Sequence, residues 1–455
     1  MNCLSLSQVV ESVQGVLSGS DATFCAVSTD TRSIERNDLF VALKGPNFNG
    51  HRFIPQAIEK GASAVMVSEP VNEAVPQIRV DDTRLGLGRL AAHWRDRFSI
   101  PMVAITGSNG KTTVKELTAA ILRQRGDVLA TLGNFNNDIG LPLTLLRLQD
   151  ESFAVIEMGA NHPGEIGYLT QIARPDVAVI TNAGAAHLEG FGDLKGVAKA
   201  KGEILSGLNP LGVGVLNADD EFFPFWRKLL GERRMISFGA SERAQVRADL
   251  DHCETQWSER GFSSRMTVFY HENSFEVELA LAGRHNRLNA LAAIAAALAM
   301  DCSVEQIQQG LASVMPVNGR LRARFSAGGL RLIDDTYNAN PDSVAAAIDV
   351  LREAPGEQWL VLGDLAELGD DAEKMHAELG DQARQAGLNH LYTLGEMSRH
   401  AAERFGEGAK AFDRIEDLVE DLVSNAKAGD TLLIKGSRSA GMERVVQRLI
   451  DEGGI

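Results

Sequence analysis

Met102-Val-Ala-Ile-Thr-Gly-Ser-Asn-Gly-Lys-Thr-Thr-Val-Lys-Glu-Leu117 runs an apolar, β-rich segment into a glycine turn and then opens a helix with a lysine and two threonines. Such a join gathers backbone N–H groups, a helix N-terminus, one ammonium and one hydroxyl around a single point. A polyphosphate with its Mg²⁺ is the ligand that suits that point. The nucleotide contacts expected here are Gly107, Ser108, Asn109, Gly110, Lys111, Thr112 and Thr113. The spacing is shorter than that of the standard phosphate loop. Counting back from Gly110-Lys111, the standard first glycine would fall at Ile105, and the first glycine here is Gly107.

Working outward, 455 residues give room for about three domains. The balance of 45 basic against 61 acidic residues, net −16, disfavours a nucleic-acid or anionic-membrane surface but leaves room for a local basic pocket. Cys3, Cys25, Cys253 and Cys302 lack metal or redox spacing and read as reduced thiols. The N-terminal apolar residues are broken by Ser, Gln and Glu without a basic leader, so no signal peptide is expected. The longest apolar run, 290–300, is too short to span a bilayer and reads as a buried helix. The expected location is the cytoplasm, without membrane insertion.

Residues 1–99 read as a small mixed unit with strands at 39–43 and 64–67 and a helix over 85–97. Pro101 marks a boundary, because the residue before proline resists helix. From 102 strands and helices alternate: buried parallel strands are expected at 102–106, 153–156, 177–181 and 213–216. Short alternating runs over 245–281 suggest antiparallel hairpins added to that sheet. A linker at 316–319 follows, and 316–455 repeats the βαβ pattern with strands at 330–333, 359–362, 391–394 and 431–434. The fold class is thus α/β in three domains, 1–99, 100–315 and 316–455. The second is a P-loop NTPase-like parallel sheet and the third a Rossmann-like doubly wound unit.

Ligands of doubly wound sheets sit beyond the carboxyl ends of strands. Glu157 ends one apolar strand and, with Thr112, can hold Mg²⁺. His187 follows the next strand tip, where a second cation could bridge nucleotide and acceptor. Mg²⁺ prefers oxygen, so an anionic partner is needed there. Lys199 and Lys201 lie on the following helix, but free ammonium groups cannot ligate a cation, and composition alone makes them a solvated face. Gly319-Arg320 sits at the linker, where a guanidinium could reach a γ-phosphate on domain closure. Asp335 and Asn338 end one later strand and suit ribose and base. Asp364 ends the next, and Lys435, Ser437 and Arg438 end a third, a cationic group suited to a carboxylate.

The phosphate loop 106–113, Glu157, His187, Gly319-Arg320 and Asp334–Asn340 together resemble the Mur ligase superfamily, ATP-dependent amide ligases of peptidoglycan precursor synthesis. The likeness runs through nearly the whole chain. Its most specific elements are Ser28-Thr-Asp-Thr-Arg32 with 40–45, Gly133-Asn-Phe-Asn-Asn-Asp138, Asp335-Thr-Tyr-Asn-Ala-Asn-Pro341, 362–369 and Lys435-Gly-Ser-Arg-Ser439. The resemblance implies an acyl-phosphate ligase with ATP, two Mg²⁺ and a CO₂-derived lysine carbamate as an oxygen ligand. Lys201 best matches the carbamate position, with Lys199 the weaker alternative. It further implies that Thr29, Asp30, Thr31, Arg32, Lys44, Gly45, Pro46 and Asn47 hold the UDP part of a substrate. Asn136 and Asn137 would contact its muramoyl end, and Asn286, Arg320, Asp335 and Asn338 would contact ATP. The acceptor belongs to the C-terminal domain, with Asp364, Lys435, Ser437 and Arg438.

The branch resembled adds D-alanyl-D-alanine to UDP-N-acetylmuramoyl-tripeptide (UDP-MurNAc-tripeptide). A sister branch adding diaminopimelate carries an Asp-Asn-Pro-Arg motif that this sequence lacks. The rival readings are that third-residue ligase, a folylpolyglutamate synthase, or a P-loop nucleotide switch or motor. The expected partners are small molecules only, with a monomeric chain and no nucleic acid.

Overall fold

In the computed structural model, which describes residues 3–45, 48–184, 188–253, 255–258 and 261–452, the strand Met102–Thr106 is buried at all five positions. It pairs in parallel with Phe153–Glu157 on one side and Val177–Ile180 on the other. A strand alternates its side chains between two faces, so both faces must be covered. Val103 and Ile105 pack with the helices Lys111–Leu122 and Arg284–Ala299. Met102 and Ala104 face the opposite core with Gly140–Leu145, Glu165–Ala173 and Leu194–Gly202. The chain leaves Met102–Thr106 and returns on either side of it, which opens a crevice at that strand's carboxyl end.

The full order in this sheet is Val128–Ala130, Phe153–Glu157, Met102–Thr106, Val177–Ile180, Val213–Asn217, Arg234–Gly239 and Val246–Ala248, all parallel. Antiparallel strands then extend it: Gly261–Tyr270 pairs with Val246–Ala248, Thr255–Ser258 and Asn273–Leu279. The added hairpin region thus continues the parallel sheet rather than forming a separate one.

The N-terminal sheet orders Val16–Ser18, Gln77–Arg79, Ala64–Val67, Asp38–Val41 and Ala26–Ser28. Its helix Thr83–Arg95, capped by Asp82 accepting from the N–H groups of Arg84 and Leu85, buries Leu87, Leu90 and Trp94 in the core shared with the central domain. The Trp94 indole donates to the Leu148 carbonyl at 3.1 Å, fixing the two domains together. The C-terminal sheet orders Arg322–Phe325, Arg331–Asp335, Thr431–Lys435, Gln358–Gly363, His390–Leu394 and Ala409–Phe412, parallel except for its first pair. Among the described residues no helix is long and apolar enough to cross a membrane.

Several expectations shift. The strand expected at 39–43 is Asp38–Val41, the helix expected from 85 begins at Thr83, and the strand expected at 330–333 is Arg331–Asp335. Cys3 and Cys25 are not thiols: they form a disulfide beside the strand pair Leu4–Ser5 and Thr23–Phe24, while Cys253 and Cys302 are free.

Candidate active site

The phosphate loop is pinned to the neighbouring strand end. Ser108 N–H donates to the Asn182 carbonyl at 3.0 Å, Asn109 N–H to Asn182 Oδ1 at 2.9 Å, and the Thr181 hydroxyl to the Asn109 carbonyl at 2.6 Å. A Cβ on Gly107, at φ 150°, would lie 1.9 Å from Thr181 Oγ1, and one on Gly110, at φ 82°, 2.2 Å from Asn289 Oδ1. The first glycine is therefore required at 107, where the loop meets the next strand, which gives the short spacing a physical reason. Lys111 Nζ donates to the carbonyls of Gly107 and Ser108 at 2.7 and 3.0 Å. Burial depresses its pKa, Arg320 adds to that, and Glu157 opposes it.

Glu157 is held by its own strand end. Its N–H donates to Thr131 Oγ1 at 3.0 Å, and its Oε1 accepts from Asn136 Nδ2 at 2.8 Å. Its Oε2 is buried without a hydrogen-bond partner among the described residues. A buried, unsatisfied carboxylate oxygen in the cleft that Thr112 also lines offers, with that hydroxyl, hard-oxygen donors that suit Mg²⁺. Asn137 Oδ1 accepts from the N–H of Gly140, so this residue shapes the start of the short helix while lining the cleft.

Lys201 is 1% exposed, its ammonium 5.3 Å from the Phe191 ring, and Lys199 is exposed. The solvated-face reading of this helix therefore holds for Lys199 and fails for Lys201, whose side of the helix packs inward. Burial and then the Lys111 charge push the Lys201 pKa down to about 7, with Glu203 and Glu165 opposing. Lys111 is in turn lowered by Arg320. Cations that disfavour one another's charge mark a pocket matched to an anion.

The C-terminal domain closes the cleft. Arg320 Nη2 donates to Thr112 Oγ1 at 3.0 Å, with its guanidinium 4.5 Å over the Tyr337 ring, and Asn340 Nδ2 donates to Asn109 Oδ1 at 2.9 Å. Asp335 takes the Leu321 N–H at 3.1 Å and the Lys435 ammonium at 2.6 Å; Lys435 also donates to the Asn338 carbonyl. Arg438 N–H reaches Asn338 Oδ1 at 3.4 Å, and Ser437 donates to the Asp364 carbonyl. The cleft so enclosed measures about 1350 Å³. It brings together residues 108–113, Asn136, Asn137, Glu157, Lys201, Asn286, Arg320, Asp335, Asn338, Lys435, Ser437 and Arg438. Gly107 and Asp364 stand just behind its wall.

Thr29, Asp30, Thr31, Arg32, Lys44 and Gly45 do not line this cleft. Arg32 pairs with Asp30 at 2.6 Å and Lys44 with Glu69 at 2.8 Å on the N-terminal domain. Pro46, Asn47 and His187 lie outside the described residues. Sequence reasoning passed over Arg84, which reaches the cleft from the N-terminal domain and pairs with Asp138. It also passed over His162, His285 and Asn289. Asn289 was findable, three residues after Asn286 on one helix face. Asn340, read from sequence within a segment suited to ribose and base, caps Pro341–Arg352 and touches the phosphate loop at Asn109. Burial lowers the His285 pKa to about 4, Asp335 opposing.

Three signatures match in order: Mur ligase family, catalytic domain, over 23–95; Mur ligase middle domain over 105–297; and Mur ligase, glutamate ligase domain over 319–438. An Escherichia coli (strain K12) protein named UDP-N-acetylmuramoyl-tripeptide–D-alanyl-D-alanine ligase is 44% identical over 455 residues, covering 100% of both chains. The chain belongs to the Mur ligase family. A crystal structure of MurF from Acinetobacter baumannii superposes with a TM-score of 0.92 at 35% identity, covering 99% of each chain. A MurF ligase from Thermotoga maritima in complex with ADP gives a TM-score of 0.84 at 31% identity, covering 94% of this chain and 97% of that one. The three-domain Mur ligase fold is thus shared along the whole length.

Proposed function

We infer that this protein is an ATP-dependent, ADP-forming ligase that joins D-alanyl-D-alanine to UDP-MurNAc-tripeptide, making the UDP-MurNAc-pentapeptide precursor of peptidoglycan. The full-length identity of 44% to the E. coli ligase of that name carries the reading. In the domain assignment, 1–99 holds the UDP end, with Thr29–Arg32 and Lys44–Asn47. Residues 100–315 hold ATP, and 316–455 hold the acceptor, with Lys435, Ser437 and Arg438 at its carboxylate and Asp364 among its other contacts. The chain acts as a monomer in the cytoplasm.

The tripeptide's terminal carboxylate attacks the γ-phosphorus of ATP, the bond to the β–γ bridging oxygen breaks, and ADP leaves an acyl phosphate. The dipeptide's free amine then adds to the acyl carbon, and inorganic phosphate departs as the amide forms. Little covalent work falls to the protein, so positioning and charge neutralisation dominate. Lys111 and the backbone of 107–113 hold the β- and γ-phosphates, with Asn286, Asp335 and Asn338 on the nucleoside. Arg320 seals the γ-phosphate against water. Thr112 and Glu157 would hold one Mg²⁺, and His187 with Lys201 a second; these ions supply neutralisation of phosphate charge.

An ammonium cannot ligate a cation and Mg²⁺ prefers oxygen, so a lysine serves here as its carbamate, formed when the neutral amine adds to CO₂ with loss of one proton. The near-complete burial of Lys201 and its pKa of about 7 support that assignment, because the free base is well populated at neutral pH. Incubation with ATP, Mg²⁺, UDP-MurNAc-tripeptide and D-alanyl-D-alanine should yield the pentapeptide, read by mass spectrometry. ATP consumed without that product would remove the reading.

A further inference from the structure

Beyond the strand Gln358–Gly363, the cleft wall is the loop 364–368, of which Ala366, Glu367 and Leu368 face the cleft. Glu367 sits at φ 61°, a left-handed conformation that a side-chain-bearing residue keeps only when its surroundings hold it. The hold is visible. Ser437 donates through its N–H and its hydroxyl to the Asp364 carbonyl, at 3.0 and 2.6 Å, and Asp364 Oδ1 accepts from Ser398 N–H at 2.8 Å. Support from behind comes from the helix Ala372–Gln385, where His376 Nε2 accepts the Leu365 N–H at 3.0 Å. His376 is 0% exposed, and its Nδ1 lies 2.7 Å from the Ala372 carbonyl. A carbonyl only accepts and an N–H only donates, so the ring is the neutral Nδ1–H tautomer.

We infer that His376 is a positioning residue for the acceptor: it latches the 364–368 wall in the form that receives D-alanyl-D-alanine and releases it when the ring is protonated. This rests on the ligase reading above. An imidazolium turns a second N–H toward the Leu365 N–H, which breaks the bond and leaves a buried donor unsatisfied. Burial keeps the ring's pKa below the usual imidazole value; the hydrogen bond to the Ala372 carbonyl and then Asp364 on the loop oppose this, and His400 on the helix Arg399–Phe405 reinforces it. His400 itself lies 3.5 Å from Glu403. The latch is therefore closed at neutral pH and opens only in acid.

The test measures KM for D-alanyl-D-alanine and for ATP in the wild type, His376→Gln and His376→Leu, between about pH 8 and about pH 5.5. The carboxamide oxygen of His376→Gln can accept from Leu365 without titrating, whereas His376→Leu cannot accept at all. At the upper pH, His376→Leu should raise the dipeptide KM about tenfold, the size of one unsatisfied buried donor, and leave the ATP KM within about twofold. Toward acid the wild-type dipeptide KM should climb above that of His376→Gln; titration of the dipeptide's own amine is common to both and cancels. A dipeptide KM unchanged in His376→Leu, an ATP KM that rises with it, or identical pH profiles for the wild type and His376→Gln would overturn the assignment. If His376→Leu does not fold, the comparison with His376→Gln decides alone. Wild-type turnover independent of the dipeptide would instead defeat the ligase reading itself.

Discussion

Lys201 carries the sharpest claim at the level of single residues. An amine with a pKa of about 7 is neutral above that value and available to CO₂, and it is protonated and unavailable below it. Turnover should therefore fall as pH drops below about 7, and should fall further when CO₂ and bicarbonate are stripped from the buffer. Lys201→Ala should lose at least about a hundredfold in turnover and recover in part with a short-chain carboxylic acid. Wild-type turnover in that variant, with no response to added acid, would exclude the carbamate. Sequence alone could not have settled Lys199 against Lys201. Both sit on a nine-residue helix, and only the packing of its inner face against Phe191 decides which is buried. Glu157, by contrast, was legible, because a carboxylate ending an apolar run needs a reason to be there.

Among the elements, buried parallel strands were readable because sheets covered on both faces leave continuous apolar runs, as at 102–106 and 153–157. Strand ends were less so: hydrogen bonding carries Arg331–Asp335 two residues past its apolar segment into the polar site. The Cys3–Cys25 bond was invisible, since nothing in a separation of 22 residues marks a pair. The linker turn yields a prediction of its own. Gly319 lies at φ 71°, and a Cβ there would stand 2.9 Å from the Tyr337 backbone nitrogen. That contact sets the direction in which the next residue, Arg320, projects toward Thr112. Gly319→Ala should cut kcat by about tenfold or more through misplacement of the guanidinium. Gly231→Ala, at φ 68° with nothing within 4 Å, should share the backbone strain of about 1 kcal/mol and keep normal kcat. Equal kcat values for the two variants, measured at matched folded fraction, would separate Arg320 from the reaction.

For the molecule as a whole, three domains contribute to one cleft because the reaction needs three ligands brought together and water kept out. The N-terminal and central domains share a core, so the N-terminal domain and the phosphate loop keep a fixed relation. The C-terminal domain meets the central one through polar contacts, Arg320 with Thr112 and Asn340 with Asn109, and through an apolar seam in which Phe262 and Ala282 join its core. A phosphate loop alone fits a switch or motor; the cationic and polar groups that the third domain adds fit a ligase. The direct test is ADP release from the full chain with ATP and Mg²⁺, omitting UDP-MurNAc-tripeptide and D-alanyl-D-alanine in turn. Release should fall to background when either is left out and reach full rate only with both. Steady ADP release with neither present would contradict the account.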